Sequence, residues 1–207
     1  SELDGSNAND LRDQRDRALD ELSSLVNINY SEAEDGQVSV RIGSDVLIDT
    51  TGVHKLTTVA SDKLFPGYTN SDPNRQDLLE VRFEETGKAA ELSGGELYGV
   101  LQMRDEIIPE YQDRVNTAAS TIIEQFNAIH EAGYGLEDTT GVPLFTGTDA
   151  ASIAINPDVL ANPALLVSRY DSDPLATGDN TAALAMADLR DAKLFDSGLS
   201  TINDYYE

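Results

Sequence analysis

The spacing of apolar residues changes period along the chain, and each change marks an element. Between Asn9 and Leu25 the apolar residues Leu11, Ala18, Leu22 and Leu25 recur at helical spacing. Charged Arg12, Asp13, Arg15 and Asp16 occupy the other faces, and Asn9 or Asp10 is suited to cap the start. From Val26 the period becomes two. Val26, Ile28 and Tyr30 alternate with polar residues, Glu34-Asp35-Gly36 supplies a turn, and Val38, Val40 and Ile42 alternate back, a pattern that predicts a β-hairpin. Val46 to Ile48, Lys55 to Val59 and Leu79 to Phe83 predict further strands, with Phe65-Pro66-Gly67 and Ser71-Asp72-Pro73-Asn74 as loop punctuation.

Between Gly94 and Gly133 the helical period returns and holds. Leu97, Leu101, Arg104, Ile108, Tyr111, Val115, Ala118, Ile122, Gln125 and Ile129 follow one another at alternating spacings of four and three, and all but Arg104 and Gln125 are apolar. That is the seam of a coiled coil or bundle, so the eight apolar members are the candidate packing residues. Ile107, Ala119, Ile123 and Phe126 widen the stripe, which predicts more than one neighbour. A helix of roughly 35 residues would be about 50 Å long, a rod suited to assembly. Pro109 removes a backbone donor inside this pattern and costs roughly 3 kcal/mol if uncompensated, so a kink is expected there. Gly94-Gly95 reads as a helix-entry turn and Gly133 as a left-handed C-cap.

Beyond Gly133 the signals are shorter. Ser152 to Ile155 predicts a strand, and Asn156-Pro157 and Asn162-Pro163 flank one helical turn. Gly178-Asp179-Asn180-Thr181 caps an Ala-rich helix from Ala182 to about Lys193. Thr201-Ile202-Asn203-Asp204 has the spacing of a capping box, followed by Tyr205-Tyr206. The sequence therefore reads as a piece cut from a longer polypeptide. The expected fold is α+β: an elongated helical bundle with a long kinked helix, plus a small, mainly antiparallel β domain. The period assigns 1–25 with 94–133 and 178–207 to a discontinuous bundle, and 26–93 with 134–177 to the β-rich domain.

Charge narrows the function classes. With 38 acidic against 14 basic residues the net charge is −24, which leaves no surface basic enough for nucleic acid. The acids are spread along the chain, as on a well-hydrated surface or one adapted to a salty exterior. No apolar run is long enough to span a membrane. The absence of cysteine removes disulfides, thiol catalysis and thiolate metal sites. His54 and His130 form no metal-ligand pair, and His130 reads as a cation near a helix C-terminus. Gly94-Gly95-Glu96-Leu97-Tyr98-Gly99 lacks the Lys-Ser/Thr of a phosphate loop. Asp4 to Asp10 lacks the twelfth-position acid of a calcium loop. No catalytic, cofactor or metal residue is assigned. A structural role is expected first; an extracellular acidic hydrolase or a surface-adhesion module is the alternative.

Particular residues carry a resemblance. Asn9-Asp10-Leu11-Arg12-Asp13-Gln14-Arg15-Asp16 with Leu22-Ser23-Ser24-Leu25-Val26 is similar to the signature of flagellar hook-associated protein 1, the family of the first hook–filament junction protein. The match continues through Gly94-Gly95-Glu96-Leu97, Arg104-Asp105-Glu106 and Phe126-Asn127-Ala128-Ile129-His130-Glu131-Ala132-Gly133-Tyr134. It returns at Gly178-Asp179-Asn180 and at Ile202-Asn203-Asp204-Tyr205-Tyr206. The resemblance implies an extracellular structural protein of the bacterial flagellum, exported through the flagellar secretion apparatus. Its implied partners are copies of itself in a ring, the hook protein, the second junction protein and the flagellin filament, with an export chaperone for the full-length chain. Long terminal helices of the family are expected to be missing here, so the piece alone is expected to be monomeric. Some relatives carry a further β domain after the stretch matching Phe145, where this chain has only a short link.

Overall fold

Helix α1 (Ala8–Leu25) forms where the first helical period predicts it and closes with the Val26 N–H donating to Leu22 O. The structure, a computed structural model, describes residues 8–34, 36–61, 78–173 and 178–206. The Asp4–Asn7 part of the calcium-loop pattern and the loop punctuation at 65–67 and 71–74 lie outside the described residues. Asn9 and Asp10 sit within α1 and do not cap it. The chain is α+β, and its contacts divide it once, into Ser1–Glu110 and Tyr111–Glu207. That division falls inside the long helix, whereas the hydrophobic period suggested a discontinuous grouping.

In the first unit, strands β1 (Asn29–Glu32), β2 (Val38–Ile42), β3 (Asp45–Asp49) and β4 (Gly52–Val53) form an antiparallel meander in sequential order. The predicted hairpin is present, with Tyr30 opposite Val40. Alternation decides its faces: Val40 and Ile42 are buried while Arg41 between them is exposed. Strands β5 (Leu56–Ala60) and β6 (Leu79–Phe83) pair separately and antiparallel. Leu19 of α1, Val26, Val40, Ile42, Leu47 and Phe83 make the core, against which Leu97 packs partly buried.

Helix α2 (Gly95–Gln102) leads into a π-helical turn, Met103–Ile107, and then into α3 (Ile108–Ala132). The expected kink is thus realised as a π turn just upstream of Pro109. The Ile108 N–H reaches back five residues to Met103 O, a bond that relaxes the ladder where proline would crowd the carbonyl four residues earlier. A π turn holds one extra residue, so everything after it faces where its predecessor would have faced in an unbroken α-helix. Pro109 is accordingly buried, and Ile108 is exposed.

In the second unit the same one-residue offset runs along α3. Asn116, Ala119, Ile123, Phe126 and His130 face inward, each one position after a member of the predicted seam. Packed around them are the short pair β7 (Phe145–Thr146) and β8 (Ala154–Ile155), α4 (Pro157–Ala161), a 3-10 turn (Pro163–Leu165), α5 (Thr181–Asp188) and α6 (Ile202–Tyr206). Asn156 and Asn162 cap their turns by accepting from the Asp158 and Ala164 N–H groups. Helix α5 ends at Asp188, short of the expected Lys193, because bonds from the 190, 191 and 192 amides to carbonyls three residues back tighten the chain toward buried Phe195. Gly133 does not take the left-handed conformation expected of it. It is required for close approach: an added Cβ would overlap the Val167 side chain and lie 2.8 Å from Arg169 O.

Candidate interaction surface on the long helix

The predicted packing residues separate into three environments. Leu97 joins the core of the first unit, and Leu101 lines a shallow recess with Glu80, Val81, Leu92 and Tyr98. Ile108, Tyr111 and Val115 are open to solvent at 46, 62 and 48%. Ala118, Ile122 and Ile129 are half-buried.

Within the second unit the stripe floors a groove. Tyr111, Arg114, Val115 and Ala118 of α3 line about 630 Å³ together with Ile202, Tyr205 and Tyr206 of α6. A further 490 Å³ or so lies among Ile122, Phe126, Met186, Leu189, Leu194 and Phe195. Helix α6 is held beside α3 and against Phe195. Arg114 donates to Tyr205 O and lies over its ring at 5.4 Å, and that ring stacks on Phe195 at 4.5 Å. The capping box is real: Thr201 N–H donates to Asp204 Oδ2 at 3.0 Å, and Asp204 N–H returns to the Thr201 hydroxyl at 3.3 Å. Among the described residues no carboxylate lines either stretch of groove, while Arg114 and Arg190 do. On a chain of net charge −24, apolar contact in this groove meets no carboxylate of the described lining.

The inward face of α3 carries residues whose role the spacing did not reveal. Asn127 acts as a strand edge: its amide donates to Phe145 O at 2.9 Å and accepts from Phe145 N–H at 2.8 Å. One turn on, His130 is wholly buried. Its Nδ1 lies 2.6 Å from Val142 O, and Val167 N–H donates to its Nε2 at 3.2 Å. A carbonyl only accepts and a backbone N–H only donates, so the ring is neutral with its proton on Nδ1. This corrects the expectation of a cation at the helix end. Nearby, buried Arg169 pairs with Asp138, donates to Asp173 O and lies over the Tyr134 ring.

Asp179 organises the start of α5. Its carboxylate accepts from the Thr181 hydroxyl and N–H and from the Asp171 and Tyr170 amides, which push its pKa down to about 2. A carboxyl whose folded pKa is depressed contributes stability above its unfolded value, and loses it as pH falls through the folded one. Asp179→Asn is therefore expected to lower the melting temperature at pH 7 and to flatten the loss between pH 3.8 and about 2, read by thermal melts across that window. An unchanged acid profile would show that the contact carries no linkage.

His54 sits between Glu85, with Nδ1 2.7 Å from Oε2, and Asp49; the Glu85 contact chiefly raises its pKa. Among the described residues no three His, Asp or Glu side chains are grouped to hold a metal, and no helix is long and apolar enough to cross a membrane.

The sequence model described as the flagellar hook-associated protein FlgK helical domain matches residues 1–145. Flagellar hook-associated protein 1 of Salmonella typhimurium (strain LT2) is 26% identical over 148 residues, covering 69% of this chain and 25% of the relative. The protein of that name from Escherichia coli (strain K12) is 24% identical over 191 residues, covering 87% and 31%. The chain thus spans about a quarter to a third of the length of the curated relatives it matches.

Proposed function

The chain belongs to the flagellar hook-associated protein FlgK family, and from that premise we propose that it is part of a non-catalytic structural subunit joining the flagellar hook to the filament. The observation that carries this reading is the apolar stripe Tyr111-Val115-Ala118 of the second unit, open to solvent at Tyr111 and Val115 and continued by a groove that no described carboxylate lines. Its four-three spacing suits a second helix laid along it. In the assembled subunit the helices within 1–25, 94–133 and 178–207 act as one bundle, beside the β-rich segments 26–93 and 134–177. The contact between α1 and α2 supports the first part of that grouping. Leu97, Leu101, Ile108, Tyr111, Val115, Ala118, Ile122 and Ile129 serve as packing residues in this arrangement. The partners are copies of the same subunit in a ring, the hook protein, the second junction protein and flagellin, with an export chaperone before assembly, and the site of action is outside the cell on the flagellum.

Electron microscopy of cells lacking the gene tests the proposal. Hooks without filaments, with flagellin lost to the medium, are expected, and intact filaments would refute the role. Restoring the gene with Tyr111→Glu and Val115→Glu together should fail to return filaments, whereas Glu124→Gln, on an exposed position of α3, should restore them.

A further inference from the structure

Most strand edges of this chain are closed to a further strand, and one is not. The outer side of β7 is taken by Asn127, and the far side of β6 is covered by 88–90, where Phe83 N–H donates to Lys88 O and Ala90 N–H to Val81 O. Strands β4 and β8 are only two residues long. The β1 edge carries Glu32, with Glu34 just beyond it, and charge on an edge discourages a second strand. Strand β5 differs. Its residues Leu56-Thr57-Thr58-Val59-Ala60 hold no charge on a chain of net charge −24, and all but Leu56 are exposed. The register fixes which backbone groups are open. Lys55 O accepts from Glu84 N–H and Ser61 N–H donates to Leu78 O, so by alternation Thr57 and Val59 turn their N–H and C=O toward β6, while Leu56, Thr58 and Ala60 turn theirs away. Among the described residues nothing takes these outward groups.

We propose that this edge pairs with β5 of a second copy of the chain, antiparallel about a two-fold axis at Thr58, so that the two β5–β6 pairs join into one continuous sheet. The sequence of β5 fits itself in that register. Thr58 lies opposite its own counterpart and Leu56 opposite Ala60, each pair exchanging backbone bonds between the outward groups. Thr57 lies opposite Val59, a β-branched cross-strand pair of the kind that stabilises sheets. No charged side chain meets another within the paired strands, whereas the same pairing through β1 would bring the Glu32 and Glu34 of two copies onto one edge. A two-fold pair closes on itself, while a ring needs two different surfaces, so this contact is independent of the ring proposed above. Two bare edges bury less than the ~1,200 Å² of a standard interface, and like net charges repel. The pair is therefore weak, with a dissociation constant of about 0.1 mM at roughly 0.15 M salt, and the dilute chain stays monomeric.

Sedimentation equilibrium of the 207-residue chain from about 10 µM to about 1 mM, with amide exchange by NMR at both ends of that range, tests the pairing. Monomer is expected at the low end and mostly dimer at the high end. Protection at the Leu56, Thr58 and Ala60 amides should rise about threefold or more with concentration. In a mixture of labelled and unlabelled chains, an isotope-filtered Overhauser contact should join Thr57 Hα to Val59 Hα of the other copy, the close approach of a non-hydrogen-bonded antiparallel pair. Thr58→Pro removes an outward N–H and no bond to β6, a change that an edge strand tolerates, and should leave the chain monomeric throughout. Thr58→Lys keeps every backbone donor but sets like charges face to face at the axis, and should do the same even where the proline variant does not fold. Protection at these amides that is already high in the dilute chain would mean that its own residues cover the edge. Association that survives Thr58→Lys would mean that another surface pairs, and a chain that stays monomeric to the highest concentration would mean that the edge is left bare. Each of these results overturns the proposal.

Discussion

Gly95→Ala is expected to destabilise the first unit by about 2–5 kcal/mol, whereas Gly94→Ala should change it by less than about 0.5 kcal/mol. The two glycines are adjacent, yet their situations differ. Gly95 has φ +82°, a conformation that costs an L-residue roughly 1–2 kcal/mol, and its added Cβ would lie 2.7 Å from Leu25 C and O and from Val26 N. Those are backbone atoms at the end of α1, which cannot swing aside, so a packing penalty of about 1–3 kcal/mol adds to the first. Gly94 is extended at φ −177°, and a Cβ there meets only Asn27 Cβ at 3.5 Å. Urea unfolding followed by far-UV circular dichroism separates the cases. Equal losses for both variants would mean that the tight approach of α1 to the start of α2 does not exist.

The second large effect lies on α3. Ile123→Ala should cost about 2–5 kcal/mol, the range for truncating a buried isoleucine, while Val115→Ala should stay within about 0.5 kcal/mol. Ile123 is 7% exposed and Val115 is on the open stripe. If Val115→Ala proves as costly as Ile123→Ala in the same urea titration, the stripe is core and the docking surface is lost. The contrast is informative because the spacing alone ranks Val115 and the neighbouring Ile122 as the seam.

That contrast also shows how far the sequence could be read. Period-two alternation located β1, β2, β3, β5 and β6 but not the two-residue β4; in β2 the buried face of Val40 and Ile42 imposes the alternation directly. The long helix was equally legible in extent, but its facing direction was not. Spacing arguments assume 3.6 residues per turn throughout, and the π turn at Met103–Ile107 adds one residue, so Pro109 occupies the place predicted for Ile108. Pro109 was the available signal, since proline inside a helix needs compensation; that the compensation would be an inserted residue was not written in any local pattern. Gly133, Asn127 and His130 were hidden for another reason. Their roles depend on Val167, Phe145 and Val142, brought together only by tertiary structure, and a buried neutral histidine looks the same in sequence as a charged one at a helix end.

Asn127 has one more consequence, for solubility. Strand β7 is two residues long and pairs with β8 on one side, with Asn156 N–H donating to Leu144 O. On the other side the Phe145 N–H and carbonyl are both taken by the Asn127 amide, so the ladder ends on a side chain that offers no backbone to continue it. An unsatisfied strand edge is a template on which another chain can grow. Here the helix plugs the edge, and copies of this chain crowded together gain no route to strand-to-strand stacking through β7.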